Sequence, residues 1–423
     1  MFAARTLAVR HVRRIARGFA TVVDASGVKV ASIDHGQPTS AVTVFVKAGS
    51  RFQPKAGVAQ ALRNFAFKST TKRSALGTVR ESELHGGILS ATLGREHLAL
   101  TAEFLRGDEE LFVDILSSFL TSAKFTRHEY SEYVQPVIEA EVEAANSDPT
   151  TRALELAHAI AFRSGLGSPL FAPAHNSITV EDVKAFASSV FTKDNILVLG
   201  TGIDQLRLAK LAEKFNLQAS AASTSPASKY YGGEGCVENS TGPQTIFIGF
   251  GTAGGPSADL AALSAHLSPE ASVKWSEGVS AIAASVPKDS LVQSIYLPYS
   301  DATLFGLLVQ GSTAASVRDA GKVVVQALKS AASGIKEDEL KRAVTKAKFN
   351  AAQVIDTKHG LTSTLGTKIL AGSETSLEET LASLSGVSAS SLSKTASSLL
   401  AGKPTFVAVG TIDTLPYSDE LGL

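Results

Sequence analysis

The 423-residue sequence contains one cysteine, one methionine and one tryptophan. The lone Cys236 excludes an intrachain disulfide framework and any zinc or iron–sulfur centre built on several thiolates, and it points to a reducing compartment. A surplus of either charge is missing too: 40 Lys+Arg stand against 40 Asp+Glu, which argues against a protein that holds nucleic acid through a basic surface. There is no long hydrophobic run. The longest charge-free stretch, Asn239 to Ala258, is rich in Gly, Pro, Thr and Ser, whereas a membrane-spanning helix needs ~20 predominantly apolar residues. Neither a G-x-x-x-x-G-K-[ST] phosphate loop nor a G-x-S-x-G nucleophile elbow is present. Of the nine histidines, no two lie three to five residues apart, so no helix offers a His pair to a metal.

What is present begins with an asymmetry. Residues 1–20 hold Arg5, Arg10, Arg13, Arg14 and Arg17 and no acid, with Leu7, Val9, Val12, Ile15 and Phe19 interspersed. An acid-free, Arg-rich amphipathic segment reads as a mitochondrial transit peptide; a secretory signal needs an unbroken apolar stretch of ~7–15 residues. Arg17-Gly18-Phe19-Ala20 places the expected cleavage between Phe19 and Ala20. Removing residues 1–19 takes five arginines, leaving 35 Lys+Arg against 40 Asp+Glu in a mildly acidic mature chain.

The remainder repeats. Ser188-Ser189-Val190-Phe191 leads into Ile196–Thr201 and Ile203-Asp204; Ser397-Ser398-Leu399-Leu400 leads into Thr405–Thr411 and Ile412-Asp413, 209 or 210 residues on. Upstream, the strand Ala41–Ala48 matches Thr245–Phe250, and the helix Arg127–Ala145 matches Lys336–Val354. Two homologous halves of roughly 200 residues each follow. The expected organisation is 20–217, a small polar linker at 218–236 and a second half at 237–423. Within each half, short β-branched strands followed by runs of amphipathic helices predict an α+β fold, with helices packed on one face of a mixed, mostly antiparallel sheet.

Two local patterns carry little chemistry. Gly249-Phe250-Gly251-Thr252-Ala253-Gly254 fits G-x-G-x-x-G, yet no second strand ending in an acid follows ~20 residues on, as a dinucleotide site requires. Glu96-His97 falls in a predicted strand, where neighbours face opposite sides, and Cys236 has no nearby histidine.

The informative stretch is Gly57 to Thr70, GVAQALRNFAFKST. It resembles the inverted zinc motif G-x-A-H-x-L-E-H-x-x-F-x-G-T of the pitrilysin and mitochondrial processing peptidase family, with Gly57, Ala59, Leu62, Phe67 and Thr70 on the framework. Gln60 and Asn64 stand where that family has its two histidines, and Arg63 where it has the catalytic glutamate. H-x-x-E-H sets two imidazoles on one helical face to hold Zn²⁺ while the glutamate activates water. Amides are poor zinc ligands, and a guanidinium places a fixed positive charge where the ion belongs and is no base near neutral pH. Alignment through Leu156–Ala159 makes Glu141, 77 residues beyond Asn64, the counterpart of the family's third ligand.

The resemblance covers the whole mature chain. Among degenerate members it resembles a core subunit of mitochondrial ubiquinol–cytochrome c reductase (respiratory complex III), on Lys229–Glu234, Tyr299–Gly306 and Pro416–Leu421. It implies two bowl-like halves facing across a cavity, with no catalytic residue, metal or cofactor. It also implies a peripheral place on the matrix side of the inner membrane, within a hetero-oligomer of core protein 1 and other complex III subunits in a dimeric complex. The cleaved Rieske presequence is an implied ligand of the core pair; no nucleotide, nucleic acid or transmembrane span is implied. The alternative is a non-catalytic, substrate-binding subunit of the processing peptidase. Its long glycine-rich loop has no room in Gly249–Gly255, which runs straight into Pro256-Ser257.

Overall fold

The structure, a computed structural model, describes residues 21–34, 36–174, 178–220, 223–240, 242–271, 280–372 and 376–423. The expected cleavage at Phe19–Ala20 therefore lies outside the described residues.

Two mixed sheets organise the chain. The first contains β1 (Thr21–Ala25), β2 (Val28–Ile33), β3 (Thr39–Val46), β4 (Ile88–Leu93), β5 (Leu98–Leu105) and β6 (Ile196–Thr201), in the order β1-β2-β6-β3-β5-β4. The second contains β7 (Gly233–Glu238), β8 (Gln244–Ala253), β9 (Ser290–Pro298), β10 (Ala302–Gly311) and β11 (Thr405–Gly410), ordered β7-β11-β8-β10-β9. Without β1 the topologies coincide, and each has one parallel pairing, β2 with β6 and β7 with β11. The last strand of each half inserts beside the early ones, Val44 opposite Val198 in one sheet and Ile246 opposite Ala408 in the other. The second sheet begins at Gly233, inside the stretch expected to be linker.

Five helices bear on function: α1 (Val58–Asn64), α2 (Gln135–Ser147), α3 (Pro149–Phe162), α4 (Glu337–Asp356) and α5 (Lys358–Leu370). A π-helical turn at Tyr130–Val134 leads into α2. Asp148 ends α2 and caps α3, accepting from the N–H groups of Thr150 and Thr151 at 3.2 and 3.0 Å, with Pro149 in the first turn where no N–H is needed.

Strand alternation sends residues to opposite faces. In the first sheet Val42, Val44, Val46, Ile196 and Val198 pack on that half's own helices, around Leu62, Phe112 and Phe186. The other face presents Ile33, Phe45, Leu197 and Leu199, covered by Leu365 and Ile369 of α5, a helix from the second half. The second sheet reverses the loan. Ile246, Ile248 and Phe250 face their own helices, while Phe247, Leu304, Leu308 and Val407 receive Ala153, Ala157 and Phe162 of α3 from the first half. Both faces of each sheet are thus buried at its centre, which explains why β3 and β10 read as nearly continuous apolar runs. Gly366 permits one of these contacts: a Cβ there would lie 2.3 Å from the Phe45 ring.

Candidate functional site

The stretch that resembles the zinc motif lies on α1, and Glu141 lies on α2. Gly57 opens α1 in the left-handed region (φ 88°), and a Cβ on it would meet that of Ala172 at 2.5 Å. Gln53 Oε1 caps the helix by accepting from the N–H groups of Gly57 and Ala59 at 3.0 and 3.2 Å. Positions 60, 63 and 64 then share one helical face, as i, i+3 and i+4 must.

Gln60 is buried, and its amide has one orientation. Its Oε1 accepts from the Ala172 N–H at 2.8 Å, so Nε2 turns to Glu141 Oε2, also at 2.8 Å. Asn64 Nδ2 donates to the same oxygen at 3.2 Å, and Arg63 Nη2 donates to it as well. All three α1 residues, 77 to 81 positions from Glu141 in sequence, converge on one carboxylate oxygen of α2. The charge-assisted Arg63–Glu141 contact is the strong member of the set. Arg63 Nε is buried without a partner among the described residues.

This donor set does not fit Zn²⁺. Two amides replace imidazoles, the one carboxylate is engaged by three donors, and a permanent cation stands beside it. Arg63, which the resemblance aligns with a catalytic glutamate, cannot take a proton from water. Among the described residues no three His, Cys, Asp or Glu side chains group as a metal site. Glu139 and Glu143 on α2 are exposed, and Glu139 accepts from Gln135 Nε2 at 2.9 Å.

The other sequence features resolve into packing. The G-x-G-x-x-G glycines run along and just past the end of β8, antiparallel to β10, and a Cβ on Gly251 would meet the Tyr230 ring at 2.2 Å. Cys236 lies on β7 against the second core, where burial, then Glu234, pushes its thiol pKa up; a raised pKa disfavours the thiolate a nucleophile needs.

A polar seam that the residue pattern did not flag joins the halves. Three consecutive residues of the β9–β10 turn each reach across it. Tyr299 OH meets His158 Nε2 of α3 at 2.7 Å; the Ser300 N–H donates to Glu96 Oε2 at 3.0 Å; Asp301 accepts from both Nη groups of Arg51 at 2.8 and 2.6 Å. Burial, with a smaller contribution from Arg95, lowers the His158 pKa to about 3, and burial raises that of Tyr299 to about 12. Both are neutral over the physiological range. The linker is fastened to the same seam: Ser228 donates to Asp301, and Pro226 O accepts from Arg51.

The sequence is similar to those of known proteins. The model of the insulinase family, peptidase family M16, matches residues 29–174, the part of the first half that carries the altered motif and Glu141. Over nearly the full length, the chain is 44% identical to a mitochondrial cytochrome b-c1 complex subunit 2 of Cryptococcus neoformans var. grubii, covering 99% of this chain and 98% of the relative. It is 36% identical to the protein of the same name from Yarrowia lipolytica (98% and 100% covered) and 27% to that of Homo sapiens (94% and 90%). The chain belongs to the cytochrome b-c1 complex subunit 2 family, and its two mixed sheets with their helices fit an M16-peptidase-like α+β fold of two halves.

Proposed function

We propose that this chain is a non-catalytic core subunit of mitochondrial respiratory complex III, supporting electron transfer from ubiquinol to cytochrome c by holding the assembly together. The observation that carries the non-catalytic reading is Glu141 Oε2, to which Gln60, Arg63 and Asn64 all donate. A hydrolytic centre needs a metal and a free base at that place, and the donors present supply neither. The names and full-length similarity of the relatives support the assignment to complex III.

The chain sits peripherally on the matrix side of the inner membrane, with core protein 1 and other complex III subunits as partners. Among the described residues no helix is long and apolar enough to cross a membrane, in keeping with attachment through partners. Residues 1–19 are a transit peptide removed before Ala20, and residues 20–217 and 237–423 are the two peptidase-like domains. Blue-native electrophoresis of mitochondria lacking this chain tests the reading: complex III should be lost or sharply reduced, and an undiminished, fully active complex overturns it. N-terminal sequencing of the isolated protein should begin at Ala20.

A further inference from the structure

A cavity of about 260 Å³ opens where the end of β3, the β4–β5 turn, the linker and the last turn of α5 meet. Its wall includes Lys47, Arg51, Glu96, His97, Ser225 and Thr367, drawn from both halves and the segment between them. It lies at the seam and shares no lining residue with the Gln60–Glu141 cluster.

Hydrogen-bonding capacity around this cavity is lopsided. Glu96, its acidic wall, already takes three donors: Arg51 Nη1 at 2.8 Å, the Ser300 N–H at 3.0 Å and the Ser300 hydroxyl at 2.5 Å. Arg51 is nearly enclosed, with 5% of its side chain exposed, and both Nη groups are used, but its buried Nε has no partner among the described residues. The half-buried Lys47 ammonium makes no hydrogen bond or ion pair among the described residues; burial, then Lys29, lowers its pKa, against an opposing pull from Glu96. The His97 ring packs 5.6 Å from that of Phe45 with neither nitrogen bonded among the described residues, and burial lowers its pKa.

A buried donor without an acceptor costs about 1–3 kcal/mol, so the buried Nε of Arg51, with the unbonded Lys47 ammonium and His97 ring on the same wall, favours an acceptor-rich occupant. Water supplies two acceptor sites per molecule and no charge. A tetrahedral oxyanion supplies several oxygens and the negative charge that Lys47 lacks, and the cavity has room for one with hydrating water. We propose that this cavity binds a small anion of the phosphate class, an inorganic phosphate or the phosphate of a larger molecule, held by Lys47 with the N–H groups of Arg51 and His97. Because its walls come from both halves, an occupant would also fasten them together.

Titration of the purified full-length chain with inorganic phosphate at constant ionic strength tests this, read by calorimetry and by the thermal midpoint. The expected result is one saturable site per chain and a midpoint that climbs with the logarithm of phosphate concentration above its dissociation constant. Lys47→Gln should weaken binding at least tenfold without moving the ligand-free midpoint, and His97→Gln should weaken it independently. Flotation with vesicles containing phosphatidic acid separates the sources. Binding that Lys47→Gln abolishes assigns a lipid phosphate, and saturable phosphate binding without flotation assigns the free ion. No saturable phosphate binding, an equal response to succinate, or unchanged affinity in Lys47→Gln overturns the proposal.

Discussion

Arg51 of the first half and Asp301 of the second meet as a parallel fork, Nη1 to Oδ1 at 2.8 Å and Nη2 to Oδ2 at 2.6 Å. The arginine is nearly enclosed and the aspartate about a third exposed, so the pair joins the two sheets in a partly dehydrated setting. Asp301 also accepts from the N–H and hydroxyl of Ser228, leaving the linker little freedom at this point.

Breaking this fork should destabilise the whole chain. Removing one partner of a buried ion pair costs about 3–5 kcal/mol, and the exposure of Asp301 brings the expectation for Asp301→Asn down to about 2 kcal/mol. Arg51→Lys should lose nearly as much, because an ammonium cannot reproduce two parallel bonds. Urea unfolding provides the measurement; a change under 0.5 kcal/mol in both variants contradicts the role assigned to the seam.

Acid should weaken the fold in two windows. His158 is neutral when folded, with a pKa near 3, but titrates at about 6.5 when unfolded. The unfolded chain therefore takes up a proton that the folded one refuses. The stability this group contributes is full above pH 6.5 and falls by up to about 1.4 kcal/mol per pH unit below it, until the folded group titrates. Burial acts to raise the Asp301 pKa, but the Arg51 and Ser228 contacts outweigh it and hold it below the usual value, so its contribution is lost only below about pH 4. The thermal midpoint should fall between pH 7 and 5 in the native chain and fall less in His158→Gln. Equal slopes contradict this account of His158.

At the altered zinc motif, Arg63→Ala should cost about 1 kcal/mol, since both charges are roughly a quarter exposed, and Arg63→Glu more, because it sets two carboxylates together. Gln60→His, Arg63→Glu and Asn64→His combined should take up one Zn²⁺ per chain by calorimetry, with Glu141 as third ligand, while the native chain takes none. Stoichiometric zinc on the native chain contradicts the reading of the cluster.

The exchanged helices make a packing prediction. Gly366→Ala forces a methyl against the Phe45 ring and should destabilise by about 1–3 kcal/mol, the usual cost of overpacking a core. Phe45→Leu in the same chain should cost less than the two single changes summed. Additive effects mean that α5 does not rest on Phe45.

Much of this was legible from sequence because it repeats or is local. β6 and β11 stand 209 residues apart as the repeat required. Glu141 was placed through family resemblance alone, since nothing at that position marks it among its acidic neighbours. Other features rest on contacts between distant segments. The exchange of α3 and α5 leaves no periodic trace, because an amphipathic helix does not state whose sheet it covers. Tyr299-Ser300-Asp301 was visible as a family string, but its three partners, His158, Glu96 and Arg51, come from three separate elements. Neither the Gln60–Ala172 contact nor the start of β7 inside the linker had a signal beyond ordinary turn chemistry.

The most direct test of the central claim is quantitative mass spectrometry of the assembly purified through this chain from detergent-solubilised mitochondria. The account predicts core protein 1, cytochrome b, cytochrome c1 and the Rieske protein in stoichiometric amounts with it. Recovery with the catalytic subunit of the processing peptidase, and without the cytochromes, would contradict it.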